Sequence, residues 1–293
     1  MSRNKIVQVG LVQMSCHEDR SKNFDKAEKL VKQCVQRGAD LVCLQELSFD
    51  PYFCQTEDHD RFSLAEPLNG EIAEFSSRLA RENAVVLLAG LFERRAAGVY
   101  HNSCLVFERD GCLLDVYRKT HIPDDPSFLE KFYFTPGDNA FPAIETSVGR
   151  IGICICWDQW YPEAARLTAM DGAEILFFPT AIGWLHAEKA DFGDSQHAAW
   201  QTMMRSHAIA NGIYVVAPNR VGIEDSIEFW GSSFVCDPYG SVLVQMSSSR
   251  DEVDVQKLDL SMIETARTHW PFFRDRRIDL YQDLAKRWRE SQD

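Results

Sequence analysis

The stretch GICICWDQWYPE at 152–163 holds two thiols, Cys154 and Cys156, one residue apart at the end of an apolar run. Polar Asp158 and then Pro162 follow. On a strand the two cysteines face one side, because side chains alternate. Cys154 is flanked by isoleucines and reads as a buried, inert thiol. Cys156 stands where the strand gives way to a turn and a helix, with Pro162 suited to the helix's first position and Glu163 to its first turn. The positive end of a helix favours thiolate, the nucleophilic form, and turn N–H groups there can receive an oxyanion. Cys156 is therefore the candidate nucleophile. A metal site fits less well, since no His/Cys pair at zinc-like spacing completes the two sulfurs. A redox pair fits poorly too, because such pairs have two intervening residues and adjacent same-face positions give poor disulfide geometry.

A thiol attacking a carbonyl needs a base, a stabiliser of the oxyanion and preferably a second acid or base. Three candidates stand at strand ends or in loops. Glu46 closes the apolar run DLVCLQE. It is either an exposed strand tip or a buried carboxylate whose raised pKa makes it a base near neutral pH. Lys119 ends CLLDVYRK; it and Arg118 point to opposite sides, so one can face a site. Glu130 lies among Phe128, Phe132, Tyr133 and Phe134. Those aromatics invite a raised pKa, while neighbouring Lys131 offers a surface ion pair instead.

The positioning elements read as follows. Strands are expected at 5–14, 40–47, 85–93, 100–108, 112–119, 149–156, 174–181 and 213–219. Helices are expected from an N-cap at Ser21 to Gly38, at 71–84, just after Pro162, at 195–211, near 259–267 and near 278–290. Hairpins form about Arg109-Asp110-Gly111 and, between strands at 230–237 and 241–246, about Pro238-Tyr239-Gly240, and a polar loop with Pro123, Pro126 and Pro136 covers 120–141. Helices alternating with strands, with hairpins mixed in, argue a layered α/β domain with mixed sheets. No linker divides the 293 residues, so one domain is expected over 1–293, with a C-terminal arm about 268–293.

The net charge of −13 opposes binding to nucleic acid or an anionic membrane surface and suits a neutral or cationic small substrate. Nine cysteines follow no framework and read as reduced thiols. The N-terminus MSRNKIVQVGLVQM lacks a signal-peptide pattern, and no run is long enough to span a membrane. A cytoplasmic location is the expectation.

Together LQELSF with Glu46, YRKTHIP with Lys119 and CICWDQWYPEAAR with Cys156 resemble the nitrilase superfamily of carbon–nitrogen hydrolases, in the family's order and spacing. The likeness runs from KIVQVGLVQ to FRDRRIDLY. It implies a four-layer α-β-β-α sandwich with two mixed β-sheets and a Glu-Lys-Cys triad. Glu46 is then the general base, Lys119 the stabiliser of the tetrahedral intermediate, Cys156 the nucleophile and Glu130 the second glutamate that many members carry. The resemblance also implies homodimers or larger homo-oligomers, paired through helices beside the nucleophile, and a reaction that needs neither metal nor organic cofactor.

CWDQWYPEAAR, KTHIPDDPSFLEKFYFTPGD, FFPTAIGW and FRDRRIDLY look most like the N-carbamoylputrescine amidase branch, whose substrate is a cationic amine with a terminal ureido group. Relatives acting on N-carbamoyl amino acids carry arginines shortly after the nucleophile, where this chain has Gln159 and Trp160, which cannot form that charged fork. In HAEKADFGD (186–194), Glu188, Asp191 and Asp194 could meet an ammonium in a loop, and Trp160 or Trp184 could add a cation–π contact. The backbone N–H of Trp157 is the expected second oxyanion donor. His121, His186, His197 and His207 are read as non-catalytic, since the triad already supplies base and acid. The rival readings are another amidase of the superfamily (on an ω-amide, a β-ureido acid or a nitrile) and an inactive binding or scaffold protein that kept the fold.

Overall fold

A computed structural model describes residues 6–289. Two six-stranded sheets dominate it. The first half of the chain builds one sheet from β1 (Ile6–Gln13), β2 (Leu41–Cys43), β3 (Val86–Ala96), β4 (Val99–Phe107) and β5 (Leu113–Arg118), with helices α1 (Arg20–Gln36) and α2 (Glu71–Asn83) between them. A one-turn helix α3 (Glu130–Tyr133) leads into the second half. There β6 (Ala143–Thr146), β7 (Gly149–Ile153), β8 (Ile175–Phe177), β10 (Tyr214–Ala217), β13 (Phe234–Cys236) and β14 (Val242–Gln245) form the second sheet. Helices α4 (Pro162–Met170) and α5 (Lys189–Asn211) cover it. The strands β9 (Gly183–Leu185), β11 (Val221–Glu224) and β12 (Ile227–Trp230) make a small third sheet. β15 (Glu252–Asp259) returns to pair antiparallel with the whole of β1, and α6 (Ser261–His269) follows.

Both large sheets are mixed. β2 runs parallel to β1 and β3, while β3, β4 and β5 are antiparallel; β8 runs parallel to β7 and β10, with antiparallel neighbours outside them. Alternation along the strands sorts side chains into layers. Val86 and Leu88 pack with Ile151, Ile153 and Phe177 between the sheets, whereas Leu87 faces Leu30, Val31 and Leu79 of the first helix pair. On the far side Leu176, Phe178 and Val215 pack on Ala165, Met204 and Ala208 of α4 and α5. The layers run helices, sheet, sheet, helices, which is the α-β-β-α sandwich.

Several expectations change. The first helix is capped by Asp19, whose side chain accepts from Ser21 N–H, and not by Ser21. Strands expected at 40–47, 149–156 and 174–181 stop at Cys43, Ile153 and Phe177; beyond those points the backbone bends away to present side chains to the site. Helix α5 begins at Lys189, absorbing most of the expected acidic loop. β6, β9, β11, β12 and β15 lie outside the expected strands. The expected helix at 278–290 resolves into short 3-10 turns at Ile278–Leu280 and Gln282–Ala285, with residue 290 and the end of the 268–293 arm outside the described residues. Its apolar side chains Ile278, Leu280 and Leu284 are exposed, so no core face stabilises a regular helix there. Residue 5 of the first expected strand is likewise outside the described residues.

Candidate active site

Three segments leave the sheets near one another and carry the acid–base groups. After β2 the chain turns through Leu47 in the left-handed region (φ 47°), leaving Glu46 with 1% of its surface exposed. Lys119 directly follows β5, its N–H donating to the Asn102 carbonyl at 2.8 Å and its own carbonyl accepting from Gly137 at 2.8 Å. The Lys119 ammonium donates to Glu46 Oε1 at 2.7 Å and to both Glu130 oxygens at 2.9 and 2.7 Å. Asn102 Nδ2 also donates to Glu46 Oε1 at 2.7 Å, and Tyr52 Oη donates to Glu130 Oε1 at 2.7 Å. Glu46 Oε2 is buried and has no hydrogen-bond partner. A carboxylate with one oxygen anchored and one unengaged is built to take a proton in a fixed direction. Glu130 is wholly buried, so the surface pairing with Lys131 is not formed.

Cys156 begins a 3-10 turn, Cys156–Trp160, that precedes α4. Its φ of 42° is left-handed, a strained conformation for a side chain with a Cβ, and its N–H donates to the Pro179 carbonyl at 3.0 Å. The strand has already ended at Ile153, so Cys154 and Cys156 do not share a strand face. Cys154 packs in the layer between sheet and helices, near Thr168 of α4, and Cys156 in the layer between sheets. Asp158 ties this turn to the lysine segment: fully buried, it accepts from Tyr117 Oη (2.7 Å), His121 N–H (2.9 Å), His121 Nδ1 (2.7 Å) and Ile155 N–H (3.0 Å).

The electrostatics follow from burial. Burial, reinforced by the Glu46 carboxylate and only partly opposed by Lys119, pushes the Cys156 thiol well above the usual cysteine range. The pull toward thiolate that a helix start offers is thus outweighed, and Cys156 is a thiol that needs a base. Burial works against the Lys119 ammonium, but Glu130 and Glu46 outweigh it and hold the group well above the ordinary lysine range. Burial also raises Glu130, against the pull of Lys119.

A cavity of about 450 Å³ opens onto Cys156 and Glu130. Trp157, Trp160, Glu188 and Phe128 line it as well, together with Asp125 and Trp230, which sequence reasoning had not singled out. Among the described residues no lysine, arginine or histidine lines it, and neither Glu46 nor Lys119 does. Asp191 and Asp194 are exposed on α5 and do not line it. Lys189 covers the Trp184 ring at 4.4 Å, so that indole face is already occupied by a cation. His207 hydrogen-bonds the Gln159 carbonyl at 2.7 Å, and His121 serves Asp158. Tyr52 and Asn102 were also missed; each is one polar residue in an apolar or mixed run, with no local signal of its role. Among the described residues, no cluster of three or more His, Cys, Asp or Glu could hold a metal, and no helix is long and apolar enough to cross a membrane.

Comparison with known proteins agrees with this geometry. The family profile described as Carbon-nitrogen hydrolase matches residues 8–268. The chain is 41% identical over 291 residues to the N-carbamoylputrescine amidase of Arabidopsis thaliana, covering 96% of each protein. It is 37% identical over 287 residues to a citrullinase of Francisella tularensis, covering 96% of this chain and 99% of that one. The crystal structure of a carbon-nitrogen hydrolase from Helicobacter pylori G27 superposes with a TM-score of 0.94 at 47% identity, over 97% of this chain and all of that one. With the sandwich, the buried carboxylate–ammonium cluster and the cysteine turn in one frame, the chain belongs to the carbon–nitrogen hydrolase family, the nitrilase superfamily, and is an amidase acting on non-peptide C–N bonds.

Proposed function

We propose that this amidase cleaves the ureido group of N-carbamoylputrescine, releasing putrescine, carbon dioxide and ammonia, and thereby serves polyamine synthesis. Glu46, through its unengaged Oε2, takes the thiol proton as Cys156 Sγ attacks the ureido carbon. Lys119 and the backbone N–H of Trp157 receive the oxyanion. The C–N bond to the terminal nitrogen breaks, ammonia leaves with the proton returned by Glu46, and an S-carbamoyl cysteine remains. Water, deprotonated by Glu46, attacks that thioester; the C–S bond breaks, the departing sulfur takes the proton from Glu46, and the carbamic acid released loses carbon dioxide to give the free amine. Glu130 holds Lys119 as the charge develops.

The observation that carries the substrate reading is the charge of the cavity wall. Asp125, Glu130 and Glu188 line it and, among the described residues, no cationic side chain does, the Lys119 ammonium being held behind Glu130. An ammonium tail is stabilised there, with Trp160 and Trp230 as ring faces, while a substrate carboxylate meets no guanidinium fork. Citrulline shares the ureido end but ends in an α-amino carboxylate, and the likeness to a citrullinase makes it the second reading. Ammonia release from N-carbamoylputrescine, citrulline and N-carbamoyl-β-alanine, with Cys156→Ala as control, tests the choice. N-carbamoylputrescine is expected to have the highest kcat/KM, and Glu188→Gln to raise its KM by about tenfold or more with a smaller change in kcat. A higher kcat/KM on either carboxylate substrate sinks the reading. The same proposal includes self-association of the chain into a homodimer or larger homo-oligomer.

A further inference from the structure

Behind the catalytic cluster lies a second buried ion pair that the mechanism does not use. Arg220, just before β11, is completely buried. One of its terminal nitrogens donates to Glu224 Oε1 at 2.7 Å and to the Asp50 carbonyl at 3.2 Å. The other donates to the carbonyls of Leu47 at 2.7 Å, Asp50 at 3.1 Å and, at the long end, Glu46 at 3.4 Å. Glu224 in turn accepts the Tyr52 N–H on Oε2 at 2.6 Å. The segment from Glu46 to Tyr52 therefore has its carbonyls on Arg220 and its far end on Glu224. Its two functional side chains, the Glu46 carboxylate and the Tyr52 hydroxyl, both lead to the Lys119 ammonium, one directly and one through Glu130.

We propose that Arg220 and Glu224 are positioning residues for the hydrolysis: they fix the Glu46–Tyr52 turn so that the general base and the lysine's counter-ion stay aligned with Cys156. Three features carry this. The turn is strained, with Leu47 at φ 47°, so it needs partners for carbonyls that no sheet satisfies. Arg220 supplies them with a rigid planar fork that a lysine cannot reproduce. Neither residue lines the substrate cavity, so their influence on turnover runs through the turn and not through substrate contact. The β3 backbone closes the other side of the turn, where a Cβ at Gly90 would press on the Leu47 nitrogen. A displacement of the base by about 1 Å costs on the order of a hundredfold in rate.

The inference rests on the role of Glu46 proposed above, and its test is chosen to stand without the substrate. Arg220→Lys and Glu224→Gln are compared with wild type in two measurements. The first is steady-state ammonia release, with kcat counted per Cys156 thiol titrated by iodoacetamide and located by peptide mass spectrometry. The second is the rate constant of that alkylation across pH, which reads base-assisted deprotonation with no natural substrate present. The expected result is kcat per titrated site down by about tenfold or more, KM within about twofold, and a matching loss in alkylation rate near neutral pH. A purely structural role lowers the fraction of titratable sites and leaves kcat per site and alkylation unchanged; that outcome overturns the proposal. Glu224→Gln keeps the size of the side chain and decides the matter if Arg220→Lys does not accumulate. Failure of both to fold assigns the pair to stability and also overturns it. If wild type proves inactive on N-carbamoylputrescine while alkylation still falls in the variants, the substrate reading fails and this one stands.

Discussion

Lys119 is the residue on which both chemistry and stability turn. Its ammonium sits between two wholly buried carboxylates, and its positive charge is what makes burying both of them tolerable. Removing the cation leaves Glu46 and Glu130 facing each other without compensation. Lys119→Met is therefore expected to abolish turnover and to cost about 3–5 kcal/mol of unfolding free energy, whereas Cys156→Ala abolishes turnover with little loss of stability. Urea denaturation of the two variants beside wild type checks this; equal stability of Lys119→Met and wild type would refute it. The pH dependence has a definite sign. The folded-state pKa of Lys119 is raised, so its contribution is fully present below the ordinary lysine pKa of about 10.4 and is lost only as pH rises through the higher folded value. The stability gap between wild type and Lys119→Met should consequently not close as pH rises from 6 to 9. Cys156 behaves differently: burial keeps its thiol protonated at neutral pH, so reactivity depends on Glu46 and not on a standing thiolate.

At the level of elements, the site depends on chain segments that stop being strands at the right residue. Lys119 is held at the end of β5 by hydrogen bonds on both faces of its peptide, one to Asn102 of β4 and one from Gly137 in the returning loop. A Cβ at Gly137 would fall on the Arg118 carbonyl, leaving no room for any other residue. Gly137→Ala should push β5 and the loop apart, with about 1–3 kcal/mol of destabilisation. It should also lower kcat disproportionately, measured as activity per titratable Cys156; an unchanged kcat would show that the loop can yield without moving Lys119. The same geometry explains what could be read from the chain beforehand. Glu46, Lys119 and Cys156 each follow an apolar run, so local pattern marks them as strand-end residues. Tyr52, Asn102, Asp158 and Arg220 carry no such mark, because their roles come from partners far along the chain, such as Glu46 with Asn102, 56 residues apart. HAEKADFGD read as an acidic loop, yet from Lys189 on it is helix, with Gly193 buried beside the Trp184 indole. β15 was missed because EVDVQKLD is largely polar; its order comes from pairing with β1, at the opposite end of the chain.

The whole molecule leaves apolar surface uncovered after α6. Ile278 is 71% exposed, Leu280 65%, Leu284 64% and Trp288 84%, and all lie in a segment with only short 3-10 turns. Beside them Arg276 reaches Met170, itself 49% exposed at the end of α4, so this segment and the helix that follows the cysteine turn share one face. Single exposed leucines need no explanation, but a Trp, an Ile and two Leu within eleven residues, next to a half-exposed helix, form a face that water solvates poorly. A second copy of the chain is the partner that the proposed self-association supplies, since a two-fold interface sets the same patch against itself. Light scattering should then give a mass that is a multiple of 33.5 kDa at micromolar concentration. Leu284→Asp combined with Trp288→Ser should shift the distribution toward the monomer while leaving the β-sandwich signal in circular dichroism intact. A wild-type mass of one chain across that range sinks self-association. An unchanged oligomer in the double variant moves the interface elsewhere on the surface. Because α4 begins directly after the turn that holds Cys156, dissociation would also be expected to lower kcat per titrated thiol, and measuring activity against protein concentration separates that coupling from a passive interface.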